Sequence, residues 1–165
     1  YKGTRFVPEI IRRLTARADR PIVFFLSGDI GDQTRHELSY VTENARLFMP
    51  GRVTPTKNLA YVKTCSFAVS PTLIENFSMG FLEATMCGLP VVTFDVGGNS
   101  ELIIDGENGF LTPYLEIEQL IGQAERLLDA TFLTEMRKKT RMFSRQKFDS
   151  SHTVSQWAAQ WTELV

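Results

Sequence analysis

Two carboxylates, Glu75 and Glu83, bound the segment Glu75-Asn76-Phe77-Ser78-Met79-Gly80-Phe81-Leu82-Glu83, which lies between an apolar run and a helical pattern. Ser78 is a good N-cap, so the spacing predicts a helix over 79–87 with Glu75 in the loop before it. Glu83 then falls one turn into the helix, on the face of Met79. A helix start presents unpaired backbone N–H groups and the positive end of a dipole, which suits a phosphate or diphosphate. Ionised carboxylates are acceptors only, and each can take two hydrogen bonds from a vicinal diol. A phosphate with a polyol at each end is a nucleotide-sugar. The competing reading makes Glu83 a solvated helix residue and Glu75 a loop charge.

Two further features belong with the glutamates. Gly97-Gly98-Asn99-Ser100-Glu101 follows the next apolar run and reads as a close-approach loop at a helix start. Lys2-Gly3 places a cation ahead of the first helix, where the first strand's carboxyl end is expected if that strand lies upstream of Tyr1. A lone lysine is more often a solvated surface charge.

These residues need elements to position them. Phe6, Val7, Ile10, Ile11 and Leu14 recur at helical spacing with Pro8 in the first turn, predicting a helix over 4–18. Ile22-Val23-Phe24-Phe25-Leu26 is a continuous apolar run, the pattern of a strand covered on both faces. A polar helix over 32–43, a strand over 46–49, a turn at Pro50-Gly51 and a helix from Pro55 to near Thr64 follow. Strands over 66–70, 90–94 and 110–112 alternate with the helix at 79–87 and a short one at 100–104. The remainder is helical, with stripes at Ile117, Leu120, Ile121, Ala124, Leu127 and Leu128, then Leu133, Met136, Thr140 and Phe143, then Val154, Trp157, Trp161 and Leu164. This alternation implies an α/β fold: a Rossmann-like parallel sheet with helices on both faces, three layers in all. Ligands of such sheets bind outside the strands' carboxyl ends, here the loops 27–31, 50–54, 70–78 and 95–100.

Composition removes several other classes. The chain has 165 residues, 43% of them hydrophobic, and 18 Lys plus Arg against 19 Asp plus Glu give a charge of -1. No basic field draws a nucleic acid, so none is expected as a partner. The apolar runs fall far below the ~18–20 residues that span a bilayer. Cys65 and Cys87 form no CxxC pair and have no His/Cys cluster nearby, so they read as reduced, buried small residues, and no metal is expected. His36 and His152 lack Asp/Ser or metal-spaced partners and read as surface or capping residues. Arg12-Arg13 and Arg137-Lys138-Lys139 read as solvated helix faces, the second with lipid phosphates as its alternative partner.

In order along the chain stand Lys2-Gly3, Pro50-Gly51-Arg52-Val53, Ser70-Pro71-Thr72, the stretch 75–83, Cys87-Gly88-Leu89-Pro90-Val91-Val92, Gly97-Gly98-Asn99-Ser100-Glu101 and Asp105-Gly106-Glu107-Asn108-Gly109-Phe110-Leu111. This set resembles the C-terminal, donor-binding domain of the group 1 (family 4) retaining glycosyltransferases of the GT-B fold, over nearly the whole chain.

The resemblance implies that residues 1–165 are one Rossmann-like donor-binding domain, with an N-terminal acceptor domain and the upstream part of the first strand lying outside it. It implies transfer of a sugar from a UDP- or GDP-sugar to a hydroxyl of a glycan, lipid or protein acceptor, with retention of anomeric configuration and no cofactor. Lys2 matches the lysine that contacts the donor diphosphate together with an upstream arginine. Glu75 matches the glutamate beside the transferred sugar and is the catalytic candidate, whereas Glu83 matches the one that holds the donor ribose. Phe77, Ser78 and Met79 match the loop whose amides meet sugar and diphosphate, Arg52 and Val53 the segment behind the base, and Gly97 and Gly98 the family's double glycine. Asn76 and Ser78 replace glycines of the family loop; Asn tolerates left-handed backbone angles and Ser caps helices, so the turn survives. Trp157 and Trp161 resemble the family's closing helix or form an ordinary core stripe. The isolated chain is expected to bind donor and to be inactive alone. A cytoplasmic location, with the inner membrane face as a variant, follows from where nucleotide-sugars are found. A nucleotide-sugar epimerase and a non-catalytic nucleotide-binding module remain alternatives. A dinucleotide oxidoreductase is disfavoured because no GxGxxG follows a strand.

Overall fold

The structure is a computed structural model that describes residues 2–40, 45–148 and 155. Trp157, Trp161 and His152, and with them the third apolar stripe, lie outside the described residues. A 3-10 turn at Thr4–Phe6 leads into α1 (Val7–Arg17), then β1 (Ile22–Ser27), α2 (Asp32–Leu38), β2 (Ala45–Gly51) and α3 (Pro55–Val62). There follow β3 (Ala68–Ser70), α4 (Met79–Met86), β4 (Val91–Phe94), α5 (Asn99–Leu102), β5 (Gly109–Thr112), α6 (Ile117–Arg126) and α7 (Ala130–Lys147).

All strand pairs are parallel, and helices cover both faces, as the alternation predicted. β4 is the central strand of β3-β4-β5, and all four of its residues are buried. Its side chains alternate between layers. Val92 and Phe94 join Ile10 and Leu14 of α1, Leu120, Ile121 and Ala124 of α6 and Met136 of α7 in one core. Val91 joins Phe81 and Ala84 of α4 with Leu102 and Ile103 in the other. The strand was legible because its residues are β-branched or aromatic, and its one polar side chain, Thr93, is buried and accepts from Asn99 Nδ2.

Three boundaries differ from expectation. The turn expected at Pro50-Gly51 is the end of β2, which runs through both residues. Among the described residues β2 pairs with β1 alone, and an edge strand accepts a residue that cannot donate a ladder hydrogen bond. The strand expected over 66–70 starts at Ala68, since only residues 68–70 find partners on β4. The helix expected over 32–43 is described as far as Leu38, where Ser39 closes it.

The sheet also lies in two pieces: β1-β2 and β3-β4-β5. Stacking of Phe25 on Phe48 at 5.9 Å, with Tyr61 of α3 at 5.4 and 5.0 Å from the two rings, holds the two-stranded piece. Between β1 and β3 lies an apolar cavity of about 650 Å³. No helix among the described residues is long and apolar enough to cross a membrane.

Cys65 and Cys87 are free thiols, half-buried rather than fully buried, packed against the α4 side of the core. Burial pushes both thiols up, more than nearby Arg137 and Lys63 pull them down. Thiolate is the reactive form. A disulfide reagent at pH 8 should therefore label both cysteines more slowly in the native protein than in urea, where the rates should match a free thiol; equal rates in both states would contradict the assignment.

Candidate functional site

The carboxyl ends of β1, β2, β3 and β4 open toward one side, and the site is built there. Gly3 adopts φ 68, and a Cβ on it would overlap the carbonyl oxygen of Pro71, the residue that follows β3. Only glycine fits so close to another backbone. This contact sets Lys2 over the loop 70–78, where its Nζ lies 2.7 Å from Glu75 Oε2. The lysine side chain is 57% exposed and the glutamate only 13%, so the carboxylate is a recessed anion with a cation across its mouth.

The double-glycine loop braces the same carboxylate from behind. Gly98 N donates to Glu75 O at 3.3 Å. A Cβ on Gly97 would overlap the Glu75 carbonyl oxygen, and one on Gly98 the Asn76 carbonyl oxygen. Asn99, wholly buried, ties this loop to the end of β4 by donating from Nδ2 to Phe94 O at 2.9 Å and to Thr93 Oγ1 at 3.3 Å. Gly97 and Gly98, expected as a ligand loop, thus pack on the backbone that carries Glu75.

Ser78 caps α4: its Oγ accepts from Phe81 N at 3.4 Å with φ -84 and ψ 105. That leaves the amides of Met79 and Gly80 without intrahelical acceptors, at the end of the helix dipole that favours anions. The loop does not need the left-handed backbone anticipated at Asn76; Leu115 is the one non-glycine residue with positive φ among the described residues. Phe77 and Met79 are 43% and 60% exposed, so their side chains stand in the open mouth of the site.

Glu83 sits on a second, separate chain of contacts. Asn58 of α3 donates from Nδ2 to Glu83 Oε2 at 3.3 Å, and Ser27 at the end of β1 donates from Oγ to Asn58 Oδ1 at 2.7 Å. Because Asn58 accepts with its oxygen and donates with its nitrogen, the amide is oriented, and it engages one of the two carboxylate oxygens of Glu83. Sequence reasoning did not single out Asn58. Its signal was positional: it lies in the first turn after β2, inside the ring of carboxyl-terminal loops, 25 residues from its partner.

Arg52 and Val53 lie at the end of β2, on the outer side of this ring. Arg52 Nε pairs with Asp29 Oδ2 at 2.6 Å, with both side chains mostly exposed, and such a surface pair contributes only about 0–1 kcal/mol. The structure thus brings together Lys2, Glu75, Gly97 and Gly98 around the start of α4. It places Glu83 with Asn58 and Ser27 at the flank, and Arg52 with Asp29 farther out. The arrangement offers an anion a cation and a helix start, and offers hydroxyls two carboxylates.

An uncharacterized glycosyltransferase of Methanocaldococcus jannaschii is 31% identical over 137 residues, covering 81% of this chain and 38% of that protein. Among solved structures, sucrose-phosphate synthase from Thermosynechococcus elongatus superposes with a TM-score of 0.78 at 20% identity, over 99% of this chain and 42% of that one. Anabaena HepE in complex with UDP-glucose superposes with a TM-score of 0.71 at 22% identity, over 95% of this chain and 45% of that one. The chain thus spans less than half the length of each of these proteins. Residues 1–130 match the family described as glycosyl transferases group 1, and the chain belongs to that family, with the Rossmann-like architecture of its GT-B structural neighbours.

Proposed function

We propose that this chain supplies the donor site of a retaining glycosyltransferase that moves a sugar from a nucleoside diphosphate to a hydroxyl acceptor. The observation that carries the reading is the meeting of Lys2 and Glu75 at the start of α4. Lys2, on leaving Glu75, and the free amides of Met79 and Gly80 face the diphosphate. Glu75 faces the sugar, and Glu83, oriented by Asn58, takes the ribose hydroxyls.

Charge placement then does the work of transfer. As the bond between the anomeric carbon and the diphosphate oxygen breaks, negative charge grows on the leaving phosphate and positive charge on the sugar. Lys2 and the helix start stabilise the first and Glu75 the second, and these interactions strengthen toward the transition state. The acceptor and the groups that hold it lie on polypeptide beyond this chain, so closure of the two parts over the donor excludes water from the reactive centre.

Calorimetric titration of the chain with UDP, GDP, ADP, their sugar conjugates and NAD tests the reading. UDP is the first donor base to try, being the nucleotide of the HepE complex. One nucleoside diphosphate should bind best. Glu83→Ala should weaken it about 10- to 100-fold, as expected when a hydrogen-bonding charged group worth ~1.5–3 kcal/mol is removed. Asn58→Ala should weaken it by a smaller factor, about 3- to 10-fold, because it frees the carboxylate without deleting it. Binding of NAD alone, or the same affinity in the Glu83 variant, would overturn the assignment.

A further inference from the structure

A second pocket lies at the opposite end of the sheet from Lys2 and Glu75. The turn at Asp105 and Gly106 leads into β5, the last turn of α6 has come back from the far end of that strand, and α7 begins beside it. Their meeting point is therefore at the amino ends of the strands. The pocket holds about 240 Å³, below the ~300–1,000 Å³ of a site for a whole drug-sized ligand, and suits one six-membered ring. Its apolar lining comes from Phe110 of β5 and Met136 of α7, both buried, and from half-buried Phe132. The rings of Phe110 and Phe132 stack at 6.2 Å with their planes 16° apart.

The rim is polar and carries both kinds of hydrogen-bonding group. Arg126 and Lys139 donate, Asp105 and Glu135 accept, and the Gln123 amide does both. Neighbours fix most of these groups. The Arg126 guanidinium carbon sits 4.9 and 4.8 Å from the centres of the Phe110 and Phe132 rings. Its Nη1 donates to Gln123 Oε1 at 2.7 Å, which orients the Gln123 amide. Asp105 Oδ1 accepts from Leu111 N at 3.0 Å, and Glu135 Oε1 from Lys138 Nζ at 2.6 Å. Two cations and two carboxylates leave the rim neutral in sum.

That composition selects among ligands. A phosphate or carboxylate here meets Asp105 and Glu135, and an amine meets Arg126 and Lys139, so either ion faces like charge. An apolar ligand strips water from the rim and returns no hydrogen bonds. A neutral sugar ring gives the apolar lining its C–H faces and the rim its hydroxyls, which donate to the carboxylates and accept from the guanidinium and ammonium. We propose that this pocket is a glycan subsite that takes one ring of a neutral saccharide. Asp105, Arg126, Glu135 and Lys139 are exposed, so the rest of the saccharide continues over the surface. The subsite shares no residue with the site at the other end of the sheet, and the proposal stands apart from the reading of that site. Its role is retention: a glycan held there stays with the protein without blocking the loops around α4.

The test is NMR titration of the isotope-labelled chain with the methyl glycosides of glucose, galactose, mannose and N-acetylglucosamine, each to about 50 mM. At least one should shift the Gly106 amide, the Gln123 side-chain amide and the Arg126 Nε–H together, with a single Kd of about 1–10 mM, ordinary for a ring of about a dozen heavy atoms. Gln123→Trp, which sets an indole into the pocket, should abolish the shift at Gly106. Lys139→Ala, at an exposed helix position, should weaken the Kd about 3- to 10-fold and leave the unfolding midpoint where it was. Sodium phosphate and putrescine at the same concentration should leave all three signals in place. The proposal fails if none of the four glycosides moves these signals, or if shifts are confined to the amides of Gly97 and Gly98 at the other end of the sheet. It fails equally if both variants bind as the parent does, or if phosphate or putrescine binds more tightly than every glycoside.

Discussion

Gly97→Ala should lower the unfolding midpoint by about 10 °C and abolish nucleoside diphosphate binding in whatever folded fraction remains. Two effects add at this position. An alanine at φ +52 costs about 1–3 kcal/mol in backbone strain. Its Cβ would overlap the Glu75 carbonyl oxygen, and overpacking against backbone costs about 1–3 kcal/mol more. The loop 70–78 must move to relieve the overlap, and Glu75 moves with it. Gly106→Ala separates the two effects. Gly106 has φ +76, but nothing lies within 4 Å of the Cβ position. That substitution should cost only the strain, about 1–2 kcal/mol, and leave binding intact. Thermal denaturation and calorimetry of the two variants check this, and equal losses in both would show that the double glycine does not brace the glutamate.

Glu75→Gln in the complete protein should reduce kcat for transfer by about 10²- to 10³-fold, the loss typical of one preorganised electrostatic group. The nucleoside diphosphate Kd should change by less than about threefold, because glutamine keeps the shape and removes only the charge that opposes the sugar's developing positive charge. Lys2→Ala should give a different pattern, weakening binding of the diphosphate and slowing transfer together. Steady-state kinetics with matched titrations distinguish the two. If Glu75→Gln raises Kd and leaves kcat unchanged, the carboxylate holds ground-state donor and does not act on the reacting centre.

Much of the fold was legible because burial leaves its mark on local pattern. Ile10, Ile11 and Leu14 share a helix face and are buried, and the four residues of β4 read as a strand because they are β-branched or aromatic. What local pattern does not carry is pairing. The run 22–26 says that β1 is apolar, but not that β2 is its only strand neighbour among the described residues. Pro50 reads as a stop unless the edge position of β2 is known. The site shows the same division. Glu75, Glu83 and the cap at Ser78 stand within nine residues of one another, and their spacing around a helix start was readable. Lys2 meets Glu75 across 73 positions and Ser27 meets Asn58 across 31, and those meetings are products of the crossovers. The double glycine was noticed for its type, but its partner, the backbone of Glu75 and Asn76, is a tertiary contact that no spacing encodes.

The seating of Gly3 on Pro71 has a mechanical consequence. Residues 2 and 3 are fastened to the loop that carries Glu75 by a backbone contact with no slack and by an ion pair. Tension applied at Lys2 therefore reaches the Glu75 carboxylate within two residues. A lever attached there would tilt Glu75 relative to the start of α4 while the bulk of the domain stayed still. Pulling experiments anchored at that end should report on the loop 70–78 first.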